Sequence, residues 1–225
     1  MYSVVSLQVV RPFFHRFGKL FCGLIFGALI QQANAQAVAF PGALGFGANA
    51  TGGRNGSVYH VTNLNDSGAG SFRDAVSHSG RIIVFDVGGE IKLSSAVSCA
   101  GDLTIAGQTA PGGIAFNGGE ISFANRNNII CRYIRIRPGS DTGSDTDDAL
   151  SFYRASNVIV DHSSIAFAPW NNIDGVGDST HLVTAITVQN SINANPTGQQ
   201  FGCHAASVGG QWSWQYNIFA NSHNR

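Results

Sequence analysis

The side chains in this sequence best able to do chemistry are acids set against strand-like runs. In "NVIVDHSS", from Asn157, an apolar run ends on Asp161 and His162 where the alternation would have continued. A carboxylate directly after a strand commonly bonds the turn that follows. For His162 the plain reading is a buried ring bonded to backbone. The most acidic local run, "SDTGSDTDDALS", carries Asp141, Asp145, Asp147 and Asp148, and reads as a solvated loop at Asp141 and Asp145. In "RYIRIR", alternation sets Tyr133, Arg135 and Arg137 on one face, and Arg132 on the other with Ile134 and Ile136. Arg135 and Arg137 then point outward, where they attract an anionic chain or solubilise the surface.

These side chains need a frame, and composition bounds it. With 225 residues and 44% apolar content the chain can bury a substantial core. Charged residues make up 12%, against a usual share of about 25%. Thirteen basic against thirteen acidic residues leave no footprint for nucleic acid or an anionic membrane, so an acidic partner must be held by a local site. Residues 1–35 read as a secretory signal: Arg11, His15, Arg16 and Lys19 precede the apolar run Leu20–Ile30, which ends near Ala33-Asn34-Ala35. Eleven apolar residues are too few for a bilayer that needs about 20. Cys22 leaves with that segment, and Cys99, Cys131 and Cys203 remain, enough for one disulfide but not for a disulfide framework.

Residues 36–225 then form the folded domain. Short β-rich runs recur between turn signals: "RIIVFDV", "LTIAG", "NNIICRYIRIR", "NVIVDHSS", "TAITVQNS" and "QWSWQYN". With Ile82, Leu103, Ile129, Val158, Ile186 and Trp214 as markers, the steps are about 21, 26, 29, 28 and 28 residues, a loose repeat of the solenoid kind. Asp102, Asn128 and Asn157 stand just ahead of markers, where a short polar side chain can bond backbone at a corner. Helix is confined to "SGAGSFRDAVSHSG", where Ser71 caps a short turn through Ala75 and Val76 that Gly80 ends, covering the open end of a first coil. A β-sandwich also gives many short strands; the spacing favours a parallel β-helix.

Several segments together carry a resemblance. "AFPGALGFGANATGGRNGSVYHVTNLNDSGAGSFRDAV" and "LTIAGQTAPGGI" are followed by "RYIRIRPG", "DDALS", "NVIVDHSS" and "YNIFANSHNR". In this order they resemble the pectate lyases of polysaccharide lyase family 1, in a secreted branch, from Ala39 to Arg225. The resemblance implies an all-β, right-handed single-stranded parallel β-helix. It also implies cleavage of polygalacturonate or a related uronate polymer by β-elimination, usually with calcium. By the same resemblance Asp161 is a calcium ligand and Asp174 matches a later carboxylate, with Asn171 offering an amide oxygen and Asp148 backing up the site. Trp170 and Asn171 fall where an acidic pair is expected, a departure that weakens the site. His204 stands where relatives hold the uronate, and Arg225, eight positions after Asn217, matches the proton-abstracting arginine.

That arginine is normally followed by further coils, so the expectation is a chain that stops short of the family's C-terminus. The resulting reading is a secreted, monomeric, calcium-assisted lyase with an acidic polysaccharide as partner, and with no nucleic acid or membrane partner. Two other classes stay open: a non-catalytic β-helix that binds acidic polysaccharide, and a glycoside hydrolase on the same fold, which requires two well-placed carboxylic acids.

Overall fold

The computed structural model describes residues 37–139, 147–197, 203–204 and 210–222, all within the unit Ala37–Arg225. The signal-like segment lies outside the described residues. Strand β1 (Ser57–Val61) comes first; among the described residues the next five coils each lay down three short strands, and two more strands follow. In chain order these are β2 (Arg81–Phe85), β3 (Gly89–Lys92) and β4 (Val97–Ser98); β5 (Leu103–Ala106), β6 (Ile114–Asn117) and β7 (Ile121–Ser122); and β8 (Asn127–Arg132), β9 (Ile134–Arg137) and β10 (Leu150–Ser151). The chain continues with β11 (Ser156–Asp161), β12 (Ser164–Ala166) and β13 (Ile173–Asp174); β14 (Thr184–Gln189), β15 (Ile192–Ala194) and β16 (Cys203–His204); then β17 (Trp212–Gln215) and β18 (Ile218–Ala220).

Stacked coil on coil, the strands make three parallel sheets: a long sheet of seven strands that starts at β1, a second sheet of six that starts at β3, and a third sheet of five that starts at β4. This is the expected parallel β-helix, not a sandwich. The register explains why the sequence repeat is loose. Ile82 pairs with Thr104, not Leu103, and Ile186 pairs with Trp212, not Trp214. Coils keep the stacking of inward side chains while their corners vary in length.

The core is a set of apolar columns that run through the coils. Ile83, Ile105, Cys131, Val160, Val188 and Trp214 align in the long sheet, and Ile91, Phe116, Ile136 and Ile165 in the second. Val97, Ile121, Leu150, Ile173 and Cys203 complete the set in the third. Each fully buried aliphatic side chain contributes about 1.5–3 kcal/mol, which compensates for the shortness of the individual strands. The one-turn helix Phe72–Ala75 is capped by Ser71, whose side chain accepts from Asp74 N–H, and it drives Phe72 into the core against Phe116, with ring centroids 4.4 Å apart. The expected cap over the first coil is therefore present.

Corners use left-handed backbone. Asp102, Asn128 and Asn157 have φ of 53°, 60° and 54° and form a ladder, in which Asn128 Nδ2 donates to Asp102 Oδ1 at 2.7 Å and Asn157 Nδ2 to Asn128 Oδ1 at 3.3 Å. The glycine-rich N-terminal signature lies along the outer face of the long sheet. There Ala43, Ala48 and Ala50 pack on Ile130 and Ile159. A Cβ on Gly47 would run into the Val158 carbonyl, so this approach requires glycine. Cys99, Cys131 and Cys203 are free thiols, and burial pushes Cys203 up to about 12. The single disulfide that the cysteine count allowed is not formed. Among the described residues no helix is long and apolar enough to cross a membrane.

Candidate functional site

The strands of the third sheet send one residue inward and the next outward. The outward residues Ser98, Ser122, Ser151, Asp174 and His204 align in register from coil to coil. Small hydroxyls thus give way to an acid and an imidazole on the later coils. His204 Nδ1 lies 2.9 Å from Asp174 Oδ1, and Asn171 Nδ2 donates to the same oxygen at 3.2 Å. The backbone N–H of Asn171 donates to Asp148 Oδ1 at 3.1 Å. Four of the expected site residues, Asp148, Asn171, Asp174 and His204, are therefore neighbours on one face.

Glu120 joins them from the coil before, immediately ahead of β7, and the sequence reading did not single it out. Burial, together with repulsion from Asp147 and Asp174, raises its carboxyl to about 7, although Ser122 donates to it. Burial and the charges of Asp174 and Glu120 raise Asp148 to about 8 against the opposing Asn171 N–H. Burial also raises Asp174, and His204 opposes that shift. Three acids from successive coils thus sit in mutual repulsion with too few donors, an arrangement that favours uptake of protons or of a cation. Its all-oxygen donors suit a hard ion such as calcium. Among the described residues, however, no three His, Cys, Asp or Glu side chains converge as a ready-made metal site. Trp170, at the expected acidic position, is 37% exposed and its N–H binds the Asp147 carbonyl. Asn171 turns its Nδ2, a donor, toward Asp174, and the amide oxygen expected there would require the amide to flip.

Asp161 lies elsewhere. Its side chain is 0% exposed at the end of β11 in the long sheet, and both oxygens are taken. Arg132 Nε donates to Oδ2 at 2.7 Å and His162 Nδ1 meets the same oxygen at 2.8 Å, while Gln189 Nε2 and Asn190 Nδ2 donate to Oδ1 at 2.9 and 3.0 Å. Burial pushes its pKa up, but these four partners outweigh burial and hold it below the usual carboxylate range. With both oxygens so engaged, Asp161 acts as a structural link. Gln189 Nε2 reaches the Gly42 carbonyl, and the Arg132 guanidinium lies 3.7 Å over the Phe40 ring, so Asp161 ties the coils to the N-terminal signature.

Two smaller expectations change here. His162 is not buried against backbone; its side chain is 44% exposed and its ring stacks on Tyr133 at 4.7 Å. Tyr133 takes φ 57° between β8 and β9, which resets the alternation, so Arg132 turns to Asp161 instead of sharing the inward face of Ile134 and Ile136. Arg135 is exposed, as expected, whereas Arg137 is half-buried and donates to Ser164. Asp141, Asp145 and Arg225 lie outside the described residues.

Fold and site together define a parallel β-helix with an acidic outer face. In sequence the chain is 52% identical over 168 residues, 74% of its length, to a probable pectate lyase C of Aspergillus fumigatus. It is 51% identical over 158 residues to a probable pectate lyase C of Aspergillus flavus, and 35% identical over 171 residues to a probable pectate lyase 5 of Arabidopsis thaliana. The crystal structure of jun a 1, the major allergen from cedar pollen, matches 68% of this chain and 49% of its own with a TM-score of 0.55 at 23% identity, a likeness of fold. No protein-family model matches the chain. The chain spans 39% of the length of the Aspergillus fumigatus relative. It is a homologue of proteins named pectate lyase, and the resemblance to polysaccharide lyase family 1 rests on these relatives together with the fold.

Proposed function

We propose that this chain is a secreted polysaccharide lyase that cleaves polygalacturonate or a related uronate polymer by β-elimination on the outer face of the third sheet. The observation that carries the reading is the trio Glu120, Asp148 and Asp174, raised in pKa by burial and mutual repulsion beside His204. A hydrolase is less well served, because these acids crowd one patch, whereas hydrolysis places two acids on either side of the scissile bond.

In the reaction the C5 proton next to the uronate carboxylate leaves, the electrons of that C–H bond form a C4–C5 double bond, and the C4–O bond to the neighbouring sugar breaks with its electron pair going to the oxygen, which takes a proton from water. Asp148 and Asp174, with Glu120 and the Asn171 amide, would hold calcium; Asp161 is left out of this set. Bound there, the ion would neutralise the uronate carboxylate and stabilise the negative charge that develops on proton removal. His204 hydrogen-bonds the sugar. Arg225, which follows β18 in the chain, takes the proton as its neutral guanidine, a form that alkaline conditions favour.

The test is polygalacturonate with and without calcium. A lyase gives the ultraviolet absorbance of an unsaturated uronate, a hydrolase gives reducing ends without it, and a binder gives neither. Arg225→Ala should abolish the absorbance; activity that survives this change would remove Arg225 as the base.

A further inference from the structure

We propose a second saccharide site, distinct from the acidic face, in the cleft at the corner where the long sheet passes into the second sheet. The cleft encloses about 570 Å³ and is lined by Tyr133, His162, Arg135, Gln108, Ser164 and Ile192, among others. It takes an acidic sugar, and the function proposed above neither uses it nor depends on it.

The corner itself points to a ligand. From β8 onward each of the four coils turns here through a single left-handed residue: Tyr133 at φ 57°, His162 at 49°, Asn190 at 50° and Tyr216 at 56°. Asn and His adopt this backbone more readily than most residues, whereas Tyr does so under strain, and such strain gathers at functional positions. Two consecutive coils nevertheless carry rings at the corner, and the rings stack at 4.7 Å with 16° between planes. Tyr133 is 38% exposed and His162 44%, so the stacked pair forms a wall that water reaches. The buried Asp161 fixes the imidazole through its Nδ1 at 2.8 Å. A pre-set aromatic wall of this kind matches the apolar C–H face of a pyranose ring.

The second half of the recognition is Arg135, exposed on β9. A Cβ on Gly113 would come within 2.5 Å of Arg135 Nη1, so the glycine lets the guanidinium lie along the cleft. Its fork suits a sugar carboxylate. None of the residues lining the cleft is an Asp or a Glu. Binding here needs no cation, unlike binding at the acidic face. Ring stacking beside a guanidinium, with no acid present, selects a uronate over a neutral sugar.

Calorimetric titration with trigalacturonate in the presence of EDTA isolates this cleft, because binding at the acidic face would be lost with the cation. Residual binding is expected, weakened about tenfold or more by Tyr133→Asn and by Arg135→Gln. It should be unchanged by Asp174→Asn and about tenfold weaker for neutral galactotriose. Asn suits the corner backbone, as Asn190 shows at φ 50°. If Tyr133→Asn still fails to fold, the exposed Arg135→Gln decides alone. Absence of EDTA-resistant binding, or binding indifferent to these changes, would overturn the site whether or not the chain is a lyase.

Discussion

Asp161 and Asp148 stand on neighbouring coils and answer burial in opposite ways. Asp161 is fully buried, yet its carboxyl stays below the usual range because Arg132, His162, Gln189 and Asn190 all serve it. Asp148 is partly buried, and there burial, reinforced by the charges of Asp174 and Glu120, lifts the carboxyl to about 8 against backbone and side-chain hydrogen bonding from Asn171. Burial pushes both carboxyls up; at Asp161 donors outweigh it, whereas at Asp148 neighbouring acids add to it. A saturated carboxylate holds structure together, whereas a crowded, under-served one is available for chemistry.

The largest break in this comparison is expected in activity. Asp148→Asn and Asp174→Asn should each lower the rate of polygalacturonate cleavage on the order of a hundredfold, since each removes a charge from the proposed cation site. Added calcium should recover part of the loss. If either change left the rate untouched, the acidic face would lose its assigned role.

Next in size is Asp161→Asn, which should cost about 3 kcal/mol of stability by leaving the Arg132 guanidinium without its buried partner. Urea unfolding reads this directly. Whatever folds should keep its calcium dependence, and loss of that dependence in folded protein would return Asp161 to the metal site.

The two regions were unequally legible in the sequence. The long sheet has strands of four to six residues whose apolar columns show in the sequence, and the corner positions Asp102, Asn128 and Asn157 announce themselves by residue type. The third sheet has strands of two residues, such as Ile121–Ser122 and Ile173–Asp174, too short for any periodicity. Only the register between coils shows that Glu120 belongs beside Asp148 and Asp174, so that acid escaped notice. Asp161 drew attention because it interrupts a clear strand. Its partners Gln189 and Asn190 sit a coil away, and so does Arg132, which alternation had assigned to the opposite face until Tyr133 reset the pattern.

The smallest effect sharpens the comparison through pH. Glu120 and Asp148 have folded pKa values of about 7 and about 8, above their ordinary values of 4.5 and 3.8. From pH 4 to 8 the folded state therefore holds more protons than the unfolded state, and stability must fall as pH rises across that window, levelling off above it. Asp161 has the opposite sign: its contribution is present above the ordinary carboxylate range and is lost as pH falls through its lower folded value. Without divalent cations the unfolding free energy read from urea titration should drop between pH 5 and 8, by an amount on the order of 1–2 kcal/mol once solvent around partly exposed groups is allowed for. Glu120→Gln with Asp148→Asn should flatten that slope, and so should calcium, because an ion that binds only the ionised folded site stabilises it most where the protons have left. A slope that persists in the double variant would place the titrating groups elsewhere, and a slope that calcium leaves unchanged would mean the trio repels without binding the ion.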